Sequence, residues 1–174
     1  MTRVSPLRLH SATLWLTLLL AASPALAVVQ GRVVSVHDGD TLTVVIDRHQ
    51  VRVRLVDIDA PELGQPFGSR SRQSLSSLCF GKVVALDVRG RDRYNRTLAR
   101  VTCGGADANA EQVRRGYAWT FIRFVRPDSP LFAIEREARA AHRGLWQDPA
   151  PVAPWDWRNS VRQSSRVSSS RAGF

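Results

Sequence analysis

The sequence predicts an α+β fold: a small β-barrel of five strands, with three helices set between and after them. Three observations carry that expectation. Five short runs rich in Val, Ile, Leu and Thr are punctuated by turn signals, and one of them alternates apolar and charged residues with period two. Three further stretches place apolar residues at helical spacing between recognisable start and stop residues. The length of 174 residues suits one domain with chain enough for a core, and a hydrophobic content of 44% excludes wholesale disorder.

Residues 28–36 form the first strand and stop at His37-Asp38-Gly39-Asp40, a turn signal. Residues 41–46 resume the sheet with Leu42, Val44 and Ile46 on one face, and residues 47–50 turn the chain again. Val51, Val53 and Leu55 then alternate with Arg52 and Arg54, the pattern of a half-buried strand. Pro61 ends this meander, since proline cannot donate to a central ladder.

Residues 66–79 read as a helix with Phe67, Leu75 and Leu78 on its apolar side. Residues 82–88 and 96–102 are the fourth and fifth strands, joined across a charged turn at 89–95. Asp107 caps a short helix that runs to Arg115 and is closed by Gly116. Ser129-Pro130 opens the third helix, with Leu131, Ile134, Ala138 and Ala141 toward the core and Glu135–Arg139 as an i,i+4 pair. Gly144 is its stop. Such a set suits a partly open barrel, of which a Greek-key OB-type barrel is one form.

The domain so defined spans residues 28–148, and its flanks differ in character. Residues 1–27 combine a basic start (Arg3, Arg8), an apolar stretch at 14–22 and small residues at Ala25 and Ala27. That is the layout of a cleaved signal peptide, with an uncleaved anchor as the alternative. The mature chain would begin at Val28 and be secreted or periplasmic, without stable membrane association. Residues 149–174 bring Pro149, Pro151 and Pro154, then Trp155 and Trp157, then a Ser/Arg-rich end from Ser160 that is expected to be disordered. The two tryptophans are candidates to fold back onto the domain.

The formal charge is +10, from 25 Lys plus Arg against 15 Asp plus Glu, and 24 of those cations are arginine. This points to a polyanionic partner, nucleic acid or an acidic membrane surface, although arginine-rich coding alone produces the same balance. Cys79 and Cys103 are the only cysteines. In an exported chain they pair as a disulfide, and otherwise they are two buried thiols. They are too few for a zinc site, since His37, His49 and His142 show no ligand spacing.

A set of polar residues stands where neither strand nor turn requires it: Asp38, Asp40 and Thr41 at the first turn, Arg54 in the third strand, Asp59 and Glu62 at the break, and Arg96 opening the fifth strand. Aspartate carboxylates and a backbone carbonyl are hard oxygen ligands of the kind Ca²⁺ takes, but Asp38-Gly39-Asp40 is not an EF-hand loop. A metal site here needs the fold to bring Asp40 and Asp59 together. Phosphodiester cleavage requires an activated water, neutralised phosphate oxygens and help for the leaving oxygen. A carboxylate base, a divalent metal and arginine forks supply these.

Asp38-Gly39-Asp40-Thr41, the run from Arg54 to Glu62, and Asp92-Arg93-Tyr94-Asn95-Arg96 follow one another in the order and approximate spacing of the staphylococcal nuclease (thermonuclease) family, which the chain resembles over residues 28–146. The resemblance implies a five-stranded OB-type barrel with three helices. It implies Ca²⁺ held by Asp40, Asp59 and the Ala60 carbonyl, Glu62 as general base, and Arg54 and Arg96 on the scissile phosphate. Asp38 and Thr41 flank the metal, and Tyr94 lies near the nucleotide. The activity implied is hydrolysis of DNA and RNA, single-stranded substrates favoured, with 3′-phosphorylated products and a monomeric enzyme. Asn95 stands where the family has glycine, and Phe121-Ile122-Arg123-Phe124 where the staphylococcal enzyme stacks a tyrosine on the base, which leaves Phe121 and Phe124 as candidate stacking residues. The alternative is a catalytically inactive nucleic-acid-binding module on the same barrel. Against it, each position matched to a catalytic role carries a competent side chain.

Overall fold

The structure, a computed structural model, describes residues 28–123 and 125–171, the last seven as backbone. The signal-peptide expectation, the expectation for Phe124 and residues 172–174 lie outside the described residues.

Strand β1 (Val29–Val36) pairs antiparallel with β2 (Thr41–Ile46) across the Asp38-Gly39-Asp40 turn. β2 pairs with β3 (His49–Leu55), with Thr41 opposite Arg54 and Ile46 opposite His49. Asp47 and Arg48 both adopt positive φ, 47° and 67°, so two residues suffice for the turn and β3 begins earlier than expected. Asp57, at φ 65°, reverses the chain into the two-residue β4 (Ile58–Asp59).

Helix α1 (Gly68–Cys79) starts two residues later than its sequence suggests, because Phe67 holds a left-handed φ of 65°. A Cβ on Gly68 would lie 1.9 Å from the Glu62 carbonyl oxygen, so only glycine lets the helix start under that loop. β5 (Val83–Arg91) and β6 (Thr97–Cys103) form the second hairpin, with the register shift near Gly90 that curls the sheet. β5 returns to β1, and β3 runs parallel to β6 with Val53 opposite Thr97 and Leu55 opposite Ala99. That last pairing closes the five long strands into a barrel, the class expected.

Val33, Leu42, Val44, Val53, Leu55, Leu86 and Val101 fill the interior, each at most 1% exposed. Each such side chain contributes about 1.5–3 kcal/mol of burial free energy. The short β7 (Ala106–Asp107) leads into α2 (Ala108–Arg114), whose Asp107 cap accepts from the amides of Asn109 and Ala110, as the sequence predicted. β8 (Trp119–Thr120) pairs with β4. α3 (Leu131–Ala140) buries Leu131 and Ala138, packs Ile134 against the core and forms the Glu135–Arg139 pair. Ala141, expected toward the core, is exposed one residue past the helix. Cys79, at the end of α1, is disulfide-bonded to Cys103, at the end of β6.

After the 3₁₀ turn Gly144–Gln147 the chain departs from expectation. Where three helices were expected it adds a fourth, α4 (Pro154–Arg171). Its first turn is anchored: Pro154 is buried, and Ala153 and Trp155 pack against a small core of Trp119, Ala138, Leu145 and Trp146. Among the described residues no helix is long and apolar enough to cross a membrane.

Candidate active site

The turn that carries Asp40 is built from beneath. The Asp38 carboxylate accepts from the Asp40 amide at 2.9 Å, and the Gln112 side-chain amide, fully buried, donates to the Gly39 carbonyl at 2.7 Å and to the Ser71 carbonyl at 3.1 Å. A Cβ on Gly39 would lie 1.7 Å from Ser71 Oγ, so glycine is what lets α1 lie against the turn. The Asp40 carboxylate accepts from Thr41 Oγ1 at 2.9 Å and from the Ala60 amide at 2.9 Å. The second bond ties the first turn to the β4 break twenty residues away.

Arg54 joins the two halves. Its Nη1 donates to the carbonyls of Leu55 and Ile58 at 2.9 and 3.1 Å, bridging the reversal at Asp57. Its Nη2 reaches Asp40 Oδ2 at 3.2 Å and Asp59 Oδ1 at 2.8 Å. Asp59 is 1% exposed and Asp40 5%. Two buried carboxylates sharing one guanidinium nitrogen lie within reach of a single cation, so the fold brings together what the sequence required it to. Burial pulls the Arg54 guanidinium toward neutrality, and the charges of Asp40, Asp59 and Asp38 more than offset that and raise its pKa. Burial raises Asp59, opposed by its bond from Arg158. Asp38 is pushed up to about 7 by burial and then by the Asp40 charge.

Glu62 lies at the edge, its side chain 42% exposed. Gln65 was not singled out by sequence reasoning. It is buried, accepts from the Glu62 amide at 3.2 Å and donates to the Val152 carbonyl at 2.6 Å. Asn109, also unanticipated, donates to the Val56 carbonyl at 2.7 Å and accepts from the Val101 amide at 3.0 Å, which locks the exit of β3. A glutamine in the loop before α1 and an asparagine in the short helix α2 carry no local signal of these long-range bonds.

Across the cleft the β5–β6 turn is organised by Asp92. Its carboxylate accepts from the amides of Tyr94 and Arg96, both at 2.9 Å, and from Arg96 Nε at 2.7 Å. Burial pushes Asp92 up, but the bonds from Arg96 and Tyr94 together outweigh it and hold its carboxyl below the ordinary pKa. Asn95 supplies the left-handed residue at φ 61°, so the family's glycine is replaced without loss of the turn. The Arg93 and Arg96 guanidinium carbons lie 4.8 and 5.6 Å from the Tyr94 ring centre.

One cleft of about 1400 Å³ collects Asp38, Asp40, Arg54, Asp59, Ala60, Glu62, Tyr94, Arg96 and Phe121. Thr41 does not line it, because its hydroxyl is buried beneath Asp40. Phe121 is stacked on Trp155 of α4, with ring centres 5.6 Å apart and 20° between planes. Arg158, also from α4, is the residue that sequence reasoning missed most completely. Nη1 donates to Glu62 Oε1 at 2.7 Å and to Asp59 Oδ1 at 3.3 Å, and Nη2 to Asp59 Oδ2 at 2.6 Å.

The donor set fits a hard divalent cation: buried carboxylates, a nearby backbone carbonyl, and neither thiolate nor imidazole. Among the described residues no three His, Cys, Asp or Glu side chains cluster as ligands.

A model of the staphylococcal nuclease homologue family matches residues 52–148, from the middle of β3 to the end of the 3₁₀ turn. The chain belongs to the staphylococcal nuclease family. It is 44% identical over 153 residues to protein ParB of Escherichia coli, covering 82% of this chain and 86% of that one. It is 41% identical over 157 residues to a micrococcal nuclease of Shigella flexneri, covering 84% and 90%. An uncharacterized endonuclease of Escherichia coli O157:H7 is 44% identical over 146 residues, covering 83% and 95%. The chain is thus an enzyme of a nuclease family whose members depend on a metal ion.

Proposed function

We propose that this nuclease is an exported, Ca²⁺-dependent phosphodiesterase that cleaves DNA and RNA with little sequence selectivity and leaves 3′-phosphorylated products. The observation that carries the reading is the shared contact of Asp40 and Asp59 with one nitrogen of Arg54, at the floor of a cleft whose walls bear Glu62 and Arg96.

Asp40, Asp59 and the Ala60 carbonyl would hold Ca²⁺, which when bound supplies positive charge against the phosphate oxygens. Glu62 takes the proton of the attacking water: it is a carboxylate at the solvent edge of the site, and Gln65 fixes its backbone. Arg54 and Arg96 bring guanidinium charge to the equatorial oxygens as negative charge builds on them. Arg96 is pre-oriented by its Asp92 bond and Arg54 by the carbonyls of Leu55 and Ile58. Tyr94 and further cleft arginines such as Arg93, Arg100 and Arg123 give the strand a sequence-tolerant cationic track. Such a cleft suits single strands, and the enzyme acts as a monomer. Asp38 and Thr41 support Asp40, through its amide and its carboxylate.

Export rests on the layout of residues 1–27 and on the Cys79–Cys103 disulfide, which fits an oxidising compartment. The mature protein would begin at Val28, which N-terminal sequencing of the exported product tests. The enzymatic reading is tested by digesting single-stranded DNA and RNA with Ca²⁺ and then with EDTA, and analysing product ends. Ca²⁺-dependent cleavage to 3′-phosphates is expected. Binding without cleavage under every divalent metal would replace the reading with that of an inactive nucleic-acid-binding module.

A further inference from the structure

Arg158 comes from a helix beyond the segment matched by the family model, yet its guanidinium sits on two carboxylates near the centre of the cleft. Three contacts just before it fix that position. The Val152 carbonyl accepts from Gln65, Pro154 is buried, and Trp155 is stacked on Phe121. Asp59 is 1% exposed and spends both oxygens on arginine: Oδ1 accepts from Arg54 and Arg158, and Oδ2 from Arg158 at 2.6 Å. Glu62 Oε1 is taken by the same guanidinium at 2.7 Å. A cation held by Asp59 needs lone pairs that Arg158 occupies, and it would stand beside a fixed positive charge.

We propose that Arg158 is a built-in competitor for the divalent cation: it neutralises Asp59 and Glu62 in the metal-free enzyme and must swing off them for the metal to bind. The inference rests on the reading of Asp40 and Asp59 as metal ligands. Its consequence is a lowered apparent affinity, because only the fraction of molecules with Arg158 withdrawn is competent to bind. It also links two events. The displacement that opens Asp59 frees Glu62 as well, so the base is released when the cation site fills. At 36% exposed, the Arg158 side chain has solvent into which to withdraw.

The test is calorimetric titration of Ca²⁺ into the full chain, without substrate, for wild type, Arg158→Ala, Arg158→Met and Arg162→Ala. Arg158→Met keeps the aliphatic stem and serves if the alanine variant folds poorly. Arg162→Ala removes an equal charge one helical turn on, from an exposed residue. Loss of Arg158 should tighten Ca²⁺ binding by about tenfold or more, the scale on which close charge pairs couple. Loss of Arg162 should change it by less than about twofold, as a screened surface charge does. Equal affinity in wild type and both Arg158 variants overturns the inference and leaves the metal-site reading standing, as does an equal gain in Arg162→Ala. Absence of binding in every variant overturns both.

Discussion

Arg54 Nη2 lies 2.8 Å from Asp59 Oδ1, a contact between a guanidinium on β3 and a carboxylate on β4 that is formed across the reversal at Asp57. The same side chain holds two backbone carbonyls with its other nitrogen, so it is both a structural brace and a cation facing the cleft. Lysine can match the charge but not the fork. Arg54→Lys is therefore expected to lower kcat/KM by about 10²-fold or more, the cost of losing one oriented donor to a transition state. Arg54→Ala should in addition destabilise the fold in EDTA by about 3–5 kcal/mol, since two buried carboxylates lose their partner. Urea unfolding and cleavage kinetics of the two variants check this; a near-wild-type turnover in Arg54→Ala would remove Arg54 from the phosphate.

Glu62 presents a different balance, because its side chain is half-exposed and is held by Arg158. Replacing it disturbs little packing. Glu62→Ser should lower kcat by about 10²–10⁴-fold, the usual range for a lost general base, with nucleotide affinity little changed. Single-turnover cleavage alongside equilibrium binding of a 3′,5′-nucleotide bisphosphate separates the two effects. A loss confined to KM would assign Glu62 to binding instead.

The strands that make the barrel were legible because period two survives in a single sequence: Val51, Val53 and Leu55 against Arg52 and Arg54 state both the strand and its buried face. The Asp107 cap and the Gly116 stop are likewise local chemistry and were readable as such. The turn at Asp47-Arg48 was misjudged, since neither residue is the glycine or asparagine that announces a two-residue hairpin. β4 and β8 are two residues each, below any periodicity. At the site, Asp40, Asp59, Arg54 and Arg96 were accessible through ordered motifs. Gln112, Asn109 and Gln65 act through bonds to distant backbone that leave no local trace. Arg158 sits between the two tryptophans read as folding back and the Ser/Arg-rich end from Ser160, with no local mark of a site role, and its bond to Asp59 spans 99 residues. Packing of Ala153 and Trp155, together with the Gln65–Val152 bond, brings it there.

The disulfide joins the end of α1 to the end of β6 over a sequence separation of 24, and neither cysteine lines the cleft. Its expected contribution is about 3–4 kcal/mol through the entropy of the unfolded chain. A Cys79→Ala/Cys103→Ala variant should show that loss in urea unfolding while kcat stays at the wild-type value. A parallel fall in kcat would mean that the bond also sets the position of α1 beneath Gly39.

The pH dependence of stability follows from Asp38. Its carboxyl is pushed up from 3.8 to about 7 by burial and by the neighbouring Asp40 charge. Between those values the folded chain keeps a proton that the unfolded chain has released, so this contribution is full below 3.8 and is lost as pH rises through about 7. Asp59, raised by burial, acts in the same direction. His37 acts oppositely: burial and then Arg52 and Arg72 lower it, so its contribution is full above the ordinary 6.5 and is lost as pH falls through its folded value. The total therefore mixes signs, and the informative quantity is the difference between wild type and Asp38→Asn in EDTA. The variant keeps an oxygen to accept from the Asp40 amide but has no proton to release. Its stability relative to wild type should rise steadily between about pH 4 and pH 7. Urea unfolding across that interval measures the difference, and a gap that does not change with pH would place Asp38 at its ordinary value, outside the influence of Asp40.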